Sequence, residues 1–163
     1  MNLSNFELND LLLAAIKSEM ESNELYSKMA KRTKNDLLSD KLIFLAKEEI
    51  KHRAYIEDIY RNHFPSEDLK IPKQTPVPLP EVKIDEDTPL SNLLKQAMAA
   101  EQAASKFYKH LSTRFEEGSK INKTLEYFAD MEIGHYKILE MERESMERYE
   151  EDDVYWPMIH AGP

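Results

Sequence analysis

Residues 45–60 read LAKEEIKHRAYIEDIY. At helical spacings of three and four, one face of this stretch carries Leu45, Glu49, His52, Ile56 and Ile59. Leu38 and Leu42 continue the face towards the N-terminus. An amphipathic helix over about residues 36–63 explains the apolar members, whose side must pack against other elements. It does not explain a glutamate and an imidazole three residues apart, side by side in the middle of the buried stripe.

Three further segments carry the same interruption. Residues 5–32 give Leu8, Leu12, Ala15, Glu19, Ser22, Tyr26 and Ala30. Residues 88 to about 118 give Leu90, Leu94, Ala97, Glu101, Ala104, Tyr108 and Leu111. A fourth segment, opened by Ser119 or Asn122 and running to about residue 149, gives Ile121, Leu125, Phe128, Glu132, His135, Leu139 and Glu142. The second half repeats the first. Glu19 to Tyr26 and Glu101 to Tyr108 are each seven residues, and Glu49–His52 and Glu132–His135 are both Glu-x-x-His. Glu19 and Glu49 are 30 residues apart, Glu101 and Glu132 are 31. The pattern predicts a duplicated hairpin, with the four acids in one layer about a pseudo-twofold axis.

Start and stop signals frame the helices. Ser4 with Glu7 is a capping-box pattern for the first, and Thr88 as N-cap with Pro89 at N1 opens the third. Short connections within each pair predict antiparallel hairpins. Residues 64–87 hold Pro65, Pro72, Pro76, Pro78 and Pro80, which forbid a regular helix. At up to ~3.3 Å per residue this crossover spans a ~40 Å helix and lets helices two and three run parallel. The alternative is a flexible linker between two separate hairpins, which leaves each with an unburied apolar face. The fold expected is all-α: a four-helix bundle of two antiparallel hairpins (5–63 and 88–149), one long crossover (64–87) and a tail (150–163), in a single domain of residues 1–163.

Composition narrows the function. The 163 residues carry 22 basic and 31 acidic side chains, a net charge of −9, which disfavours nucleic acid or an anionic membrane as partner. There is no cysteine, so disulfides, thiolate metal sites and thiol catalysis are excluded. The N-terminus MNLSNFELND has no basic signal region and no apolar run is long enough to span a bilayer, so a cytoplasmic protein is expected.

Four buried carboxylates in one layer repel one another and pay for lost hydration. Two divalent cations neutralise four negative charges, and two neutral imidazoles complete the shell. Carboxylate with imidazole favours iron or manganese over calcium or magnesium. The candidate metal ligands are therefore Glu19, Glu49, His52, Glu101, Glu132 and His135.

These residues resemble the ferritin-like di-iron superfamily, whose bundles take one Glu from each of two helices and Glu-x-x-His from each of the other two. Residues 45–60 are most similar to the erythrin domain of rubrerythrins, and the resemblance covers roughly residues 8–145. It implies that Glu49 and Glu132 bridge two metals, iron or else manganese or a mixed pair. Glu19 and Glu101 would be terminal ligands, His52 and His135 would bind one metal each, and Tyr26 and Tyr108 would orient ligand carboxylates. Plain core aromatics are the alternative for the tyrosines. Rubrerythrins carry a further carboxylate one turn past the first on helix three. Here that position is Ala104, flanked by Gln102, Ala103 and Ser105, so the site looks more like the symmetrical one of bacterioferritins. With no cysteine there is no rubredoxin domain either, which implies an external electron donor.

The function expected by that resemblance is reduction of hydrogen peroxide. An iron oxidase using dioxygen, and a helical interaction module with a structural metal, are the alternatives. A homodimer is expected, with exchange of hairpins between subunits open. Of the remaining features, Met20, Met29, Met98, Met131 and Met141 read as core filler, and Lys47–Glu48 and residues 142–151 as solvated faces. Gly134 would permit close approach of another helix. Tyr155, Trp156, Met158 and Ile159 would dock on the bundle or on a second subunit, and His160 reads as a solvated tail residue rather than an extra ligand.

Overall fold

A computed structural model describes residues 3–74, 77, 79 and 88–155, with side chains as far as Arg148. Four helices account for most of it: α1 (Leu8–Arg32), α2 (Asp36–His63), α3 (Leu90–Ser112) and α4 (Lys120–Tyr155). The side chain of Tyr155, together with Trp156, Met158, Ile159 and His160, lies outside the described residues.

Local chemistry sets the ends. Asn35 caps α2 by accepting from the Leu38 N–H at 3.1 Å, and Arg61 and His63 complement the dipole in its last turn. Ser119 caps α4, accepting from the Asn122 N–H, while Asn122 accepts from the Gly118 N–H. Gly118 sits at φ +77°, a conformation side chains disfavour, and so permits the tight α3–α4 turn. Some predicted boundaries move. The Ser4–Glu7 box does not open α1: Glu7 is itself the N-cap residue and makes no side-chain capping bond. Pro89, not Thr88, precedes the first helical residue of α3, and the Thr88 carbonyl accepts from Arg32 instead. α3 ends at Ser112 rather than near Gly118, and α4 continues to Tyr155.

Each hairpin packs on itself, and contacts also join α1 to α3 and α2 to α4. Contacts between helix ends give their directions. Arg32, at the end of α1, bonds to Thr88 before α3, and Arg114, just past α3, donates to the Phe6 carbonyl before α1, so α1 and α3 are antiparallel. Lys41 in the first turns of α2 pairs with Glu142 late in α4, making these antiparallel too. His63 and Phe115, at the C-terminal ends of α2 and α3, meet with ring centroids 5.5 Å apart, so α2 and α3 run parallel, as a full-length crossover requires. The described part of the crossover packs on the bundle through Leu69, Ile71, Val77 and Leu79.

The core forms two clusters. One gathers Leu11, Leu12, Ile16, Ile56, Ile59, Phe107, Leu111, Leu125 and Phe128, and the other Leu25, Met29, Leu38, Leu42, Leu45, Leu93, Leu94, Met98 and Leu139. In α2 every predicted stripe residue from Leu38 to Ile59 is buried, so the period set the helix face correctly. Met29 and Met98 are buried as expected, but Met20 and Met141 are exposed, at 37 % and 65 %, and are not core filler. Glu48 is not a solvated residue: it is buried and paired with Lys51. Gly134 is exposed and faces open space, so it accommodates no neighbouring helix.

Candidate metal centre

Between the two apolar clusters lies a layer of six buried ionisable side chains. Each sits midway along its helix, where the period turns it inward. Glu19, Glu49, His52, Glu101, Glu132 and His135 are all 3 % exposed or less. All six predicted ligands are thus brought together.

The layer has twofold regularity. His52 Nδ1 lies 3.0 Å from Glu132 Oε1, 3.3 Å from Glu49 Oε2 and 3.8 Å from Glu19 Oε2. His135 Nδ1 lies 3.0 Å from Glu132 Oε2, 3.3 Å from Glu49 Oε1 and 3.7 Å from Glu101 Oε2. Glu49 and Glu132 each turn one oxygen to each imidazole, whereas Glu19 and Glu101 serve one half apiece. The imidazoles lie nearly parallel, 5.8 Å apart at 18°. Two sets of four ligand atoms result, Glu19–Glu49–His52–Glu132 and Glu49–Glu101–Glu132–His135, each within 4.8 Å of one another.

The tyrosines tie the halves together crosswise. Tyr26 Oη on α1 donates to Glu101 Oε1 on α3, and Tyr108 Oη on α3 donates to Glu19 Oε1 on α1. Both rings are buried, so they orient carboxylates from the opposite hairpin and are more than core filler.

Burial raises the carboxyls of Glu19 and Glu101 well above the ordinary range, and neighbouring carboxylates push them the same way. Burial also opposes ionisation of Glu49 and Glu132, but the imidazoles of His135 and His52 beside them outweigh it and hold both below that range. Burial alone would lower the imidazoles. The carboxylates around them win, raising His52 to about 9 and His135 further still. Burial, reinforced by the adjoining carboxylates, drives both tyrosines upward, so they remain protonated donors.

Without a cation, the shifts favour protons on Glu19, Glu101, His52 and His135 and charge on Glu49 and Glu132, a combination that tends towards balance. Two divalent cations with four carboxylates and two neutral imidazoles balance equally. Loading would exchange protons of Glu19, Glu101, His52 and His135 for two dications.

The residues fit such cations on one further observation. Glu49 Oε1 and Oε2, Glu132 Oε1, His52 Nδ1 and Nε2, and His135 Nδ1 are buried without an aligned hydrogen-bond partner. Buried polar atoms seldom go unsatisfied, because each forfeits its hydration. Here they come from α2 and α4, the two helices that carry Glu-x-x-His, and meet in the middle of the bundle.

One residue of the site stood in its stripe only as an apolar core member. Phe128 lies four residues before Glu132, so it shares that face, and its ring packs against His52 with centroids 4.2 Å apart. Its place one turn from a ligand was the available signal. Ala104 stands where a seventh ligand would come, and no acid on α3 supplies one.

A four-helix bundle with a duplicated Glu and Glu-x-x-His layer defines a ferritin-like carboxylate centre. The chain matches the Rubrerythrin family over residues 10–143, and it belongs to that family. It is also similar to a solved structure described as a hypothetical protein from Pyrococcus furiosus. The two share 34 % identity over 91 % of this chain and 95 % of that one, with a TM-score of 0.77. No curated protein gives a significant match. Among the described residues no helix is long and apolar enough to cross a membrane.

Proposed function

We propose that the protein is a non-haem di-iron carboxylate oxidoreductase that reduces hydrogen peroxide. The observation that carries the proposal is the set of converging, buried ligand atoms in the central layer that make no aligned hydrogen bond. Glu49 and Glu132 reach both halves and would bridge the cations. Glu19 with His52, and Glu101 with His135, would hold one cation each. Bound there, iron supplies the redox equivalents and the Lewis acidity that breaking an O–O bond demands. Tyr26 and Tyr108 keep Glu101 and Glu19 oriented, and the two apolar clusters exclude bulk water. Reduction of one peroxide takes up two electrons and two protons and releases two waters. These 163 residues hold no cysteine to bind a rubredoxin-type iron, and a separate protein as electron donor belongs to the same reading. So does a cytoplasmic setting.

Ala104 favours a second reading. A symmetrical six-ligand site, without an extra carboxylate to exchange, equally suits oxidation of ferrous iron by dioxygen, with iron as substrate. Stopped-flow spectroscopy of anaerobically reduced, iron-loaded protein separates the two. Peroxidase action predicts fast oxidation by peroxide and slow oxidation by dioxygen. The reverse preference, with turnover of excess ferrous iron, supports the oxidase. Silence towards both leaves a structural metal.

The homodimer belongs to this proposal as well. Leu37 and Phe44, and Ile43 and Ile50, recur at seven-residue intervals on the outer side of α2, and all four are exposed, by 41 to 73 %. A second copy of the chain, itself carrying this stripe, suits such a self-complementary face. The mass of the protein in solution tests it.

A further inference from the structure

The duplication relates α1 to α3 by 82 residues (Glu19 to Glu101) and α2 to α4 by 83 (Glu49 to Glu132). The ligands obey it, but their surroundings do not. Phe128, four residues before Glu132, corresponds to Leu45, four residues before Glu49. The Phe128 ring lies on His52, 4.2 Å away and inclined by 33°. It is wedged in turn by Tyr55 at 5.5 Å and Tyr108 at 5.7 Å, both nearly perpendicular to it. Among the described residues, the only ring against His135 is His52 itself.

A second difference concerns the imidazoles. Both ring nitrogens of His52 are buried without a hydrogen-bond partner, whereas for His135 this is true of Nδ1 alone. The His52 side chain is 1 % exposed and that of His135 4 %. A ligating imidazole is ordinarily oriented by a hydrogen bond from its second nitrogen. His52 has none, and the face of Phe128 holds the ring instead.

We infer that the two cation positions are not interchangeable: the one served by Glu19 and His52 is the retained position, and the one served by Glu101 and His135 exchanges with solvent. The inference rests on the two-metal reading above. Its physical basis is twofold. An imidazole fixed in advance by a wedged ring loses less freedom when it binds. An aromatic shell also closes the His52 side to water, which must arrive if a cation is to leave. The corresponding residue of the other half, Leu45, has no flat face to offer, and the His135 side chain is the more exposed of the two, at 4 % against 1 %. Phe128 is on this account a positioning residue, acting through His52.

The test uses cobalt(II), added at one equivalent per chain to metal-free protein. Paramagnetic shifts of the two histidine side chains report which position fills, and a chelator challenge reports which empties first. The expected result is a preference of about tenfold or more for the His52 position, the size that orienting neighbours of ligands commonly contribute. In Phe128→Leu the preference should fall to near one, with the weaker step unchanged. In Leu45→Phe the weaker step should tighten. Equal filling in the natural protein would overturn the inference while leaving the two-metal reading intact, and so would a Phe128→Leu variant that weakens both steps alike. Failure to bind cobalt at all would overturn both. The half-loading of the natural protein decides the matter even where a variant does not fold.

Discussion

The apolar ends of the bundle and the ionisable layer between them are built on the same four helices, yet they do opposite things for stability. The ends bury large side chains such as Leu12, Ile16, Leu42 and Leu94 at 1 % exposure or less. At roughly 25 cal/mol per Å² of apolar surface, this burial is the main favourable contribution to folding. The layer buries four carboxyls and two imidazoles that would each be better solvated in water. It is tolerated because its charges cancel, with protons in the metal-free protein and with cations in the loaded one. The contrast separates residues that hold the fold from residues that are held by it.

The largest effect that can break this contrast is loss of a shared ligand. Glu49→Ala or Glu132→Ala should remove at least one of two metal equivalents per chain while the helical circular dichroism persists. Elemental analysis after anaerobic loading checks it, and retention of two equivalents by both variants would refute the bridging role.

A cut in the apolar ends should do the converse. Leu12→Ala or Leu94→Ala is expected to cost about 2–5 kcal/mol in denaturant unfolding, with two metals still bound. A loss of metal before a loss of stability would mean that layer and ends are not separable.

Titration sharpens the comparison. His52 is raised from 6.5 to about 9, so it favours the folded metal-free state fully below pH 6.5 and loses that contribution as pH rises through about 9. The raised carboxyls of Glu19 and Glu101 act in the same direction. The melting temperature of metal-free protein should therefore fall between pH 6.5 and 9, and that of loaded protein should change much less. Loading near neutral pH should release protons, read from calorimetry in buffers of different ionisation enthalpy.

Smaller effects follow at the margins. Tyr26→Phe and Tyr108→Phe leave a ligand carboxylate without its donor and should weaken metal binding by about tenfold, with little change in the fold. Lys41→Ala removes a half-exposed partner of Glu142 and should cost less than about 1 kcal/mol, without altering metal content.

Much of this was legible in the residues. The 3.6-residue period placed Glu19, Glu49, His52, Glu101, Glu132 and His135 on inward faces, and near-equal spacing from the helix starts put them at one level. The long proline-rich crossover fixed the parallel course of α2 and α3, and hence the antiparallel pairing of α1 with α3 that lets each tyrosine reach the opposite glutamate. What periodicity could not supply was anything dependent on how helices cross. Met20 and Met141 are apolar yet exposed, because they follow Glu19 and Leu139 by one and two residues and so turn about 100° and 200° away from the inward face. Glu48 adjoins a ligand and points away from the layer, but it is buried and paired with Lys51. The Ser4–Glu7 pattern satisfied the capping rule, yet the chain enters α1 later, where Leu3 and Phe6 pack on the core. The stacking of Phe128 on His52 joins α4 to α2, and no single-helix stripe displays it.

On the proposed reading, two cations take the place of the protons that otherwise let the buried acids and imidazoles coexist. Metal-free protein titrated anaerobically with ferrous iron, with bound metal and released protons counted together, tests it most directly. Two irons bound per chain and a net release of protons are expected. Protein that takes no iron, and keeps its protons and its melting temperature when iron is offered, would contradict that reading.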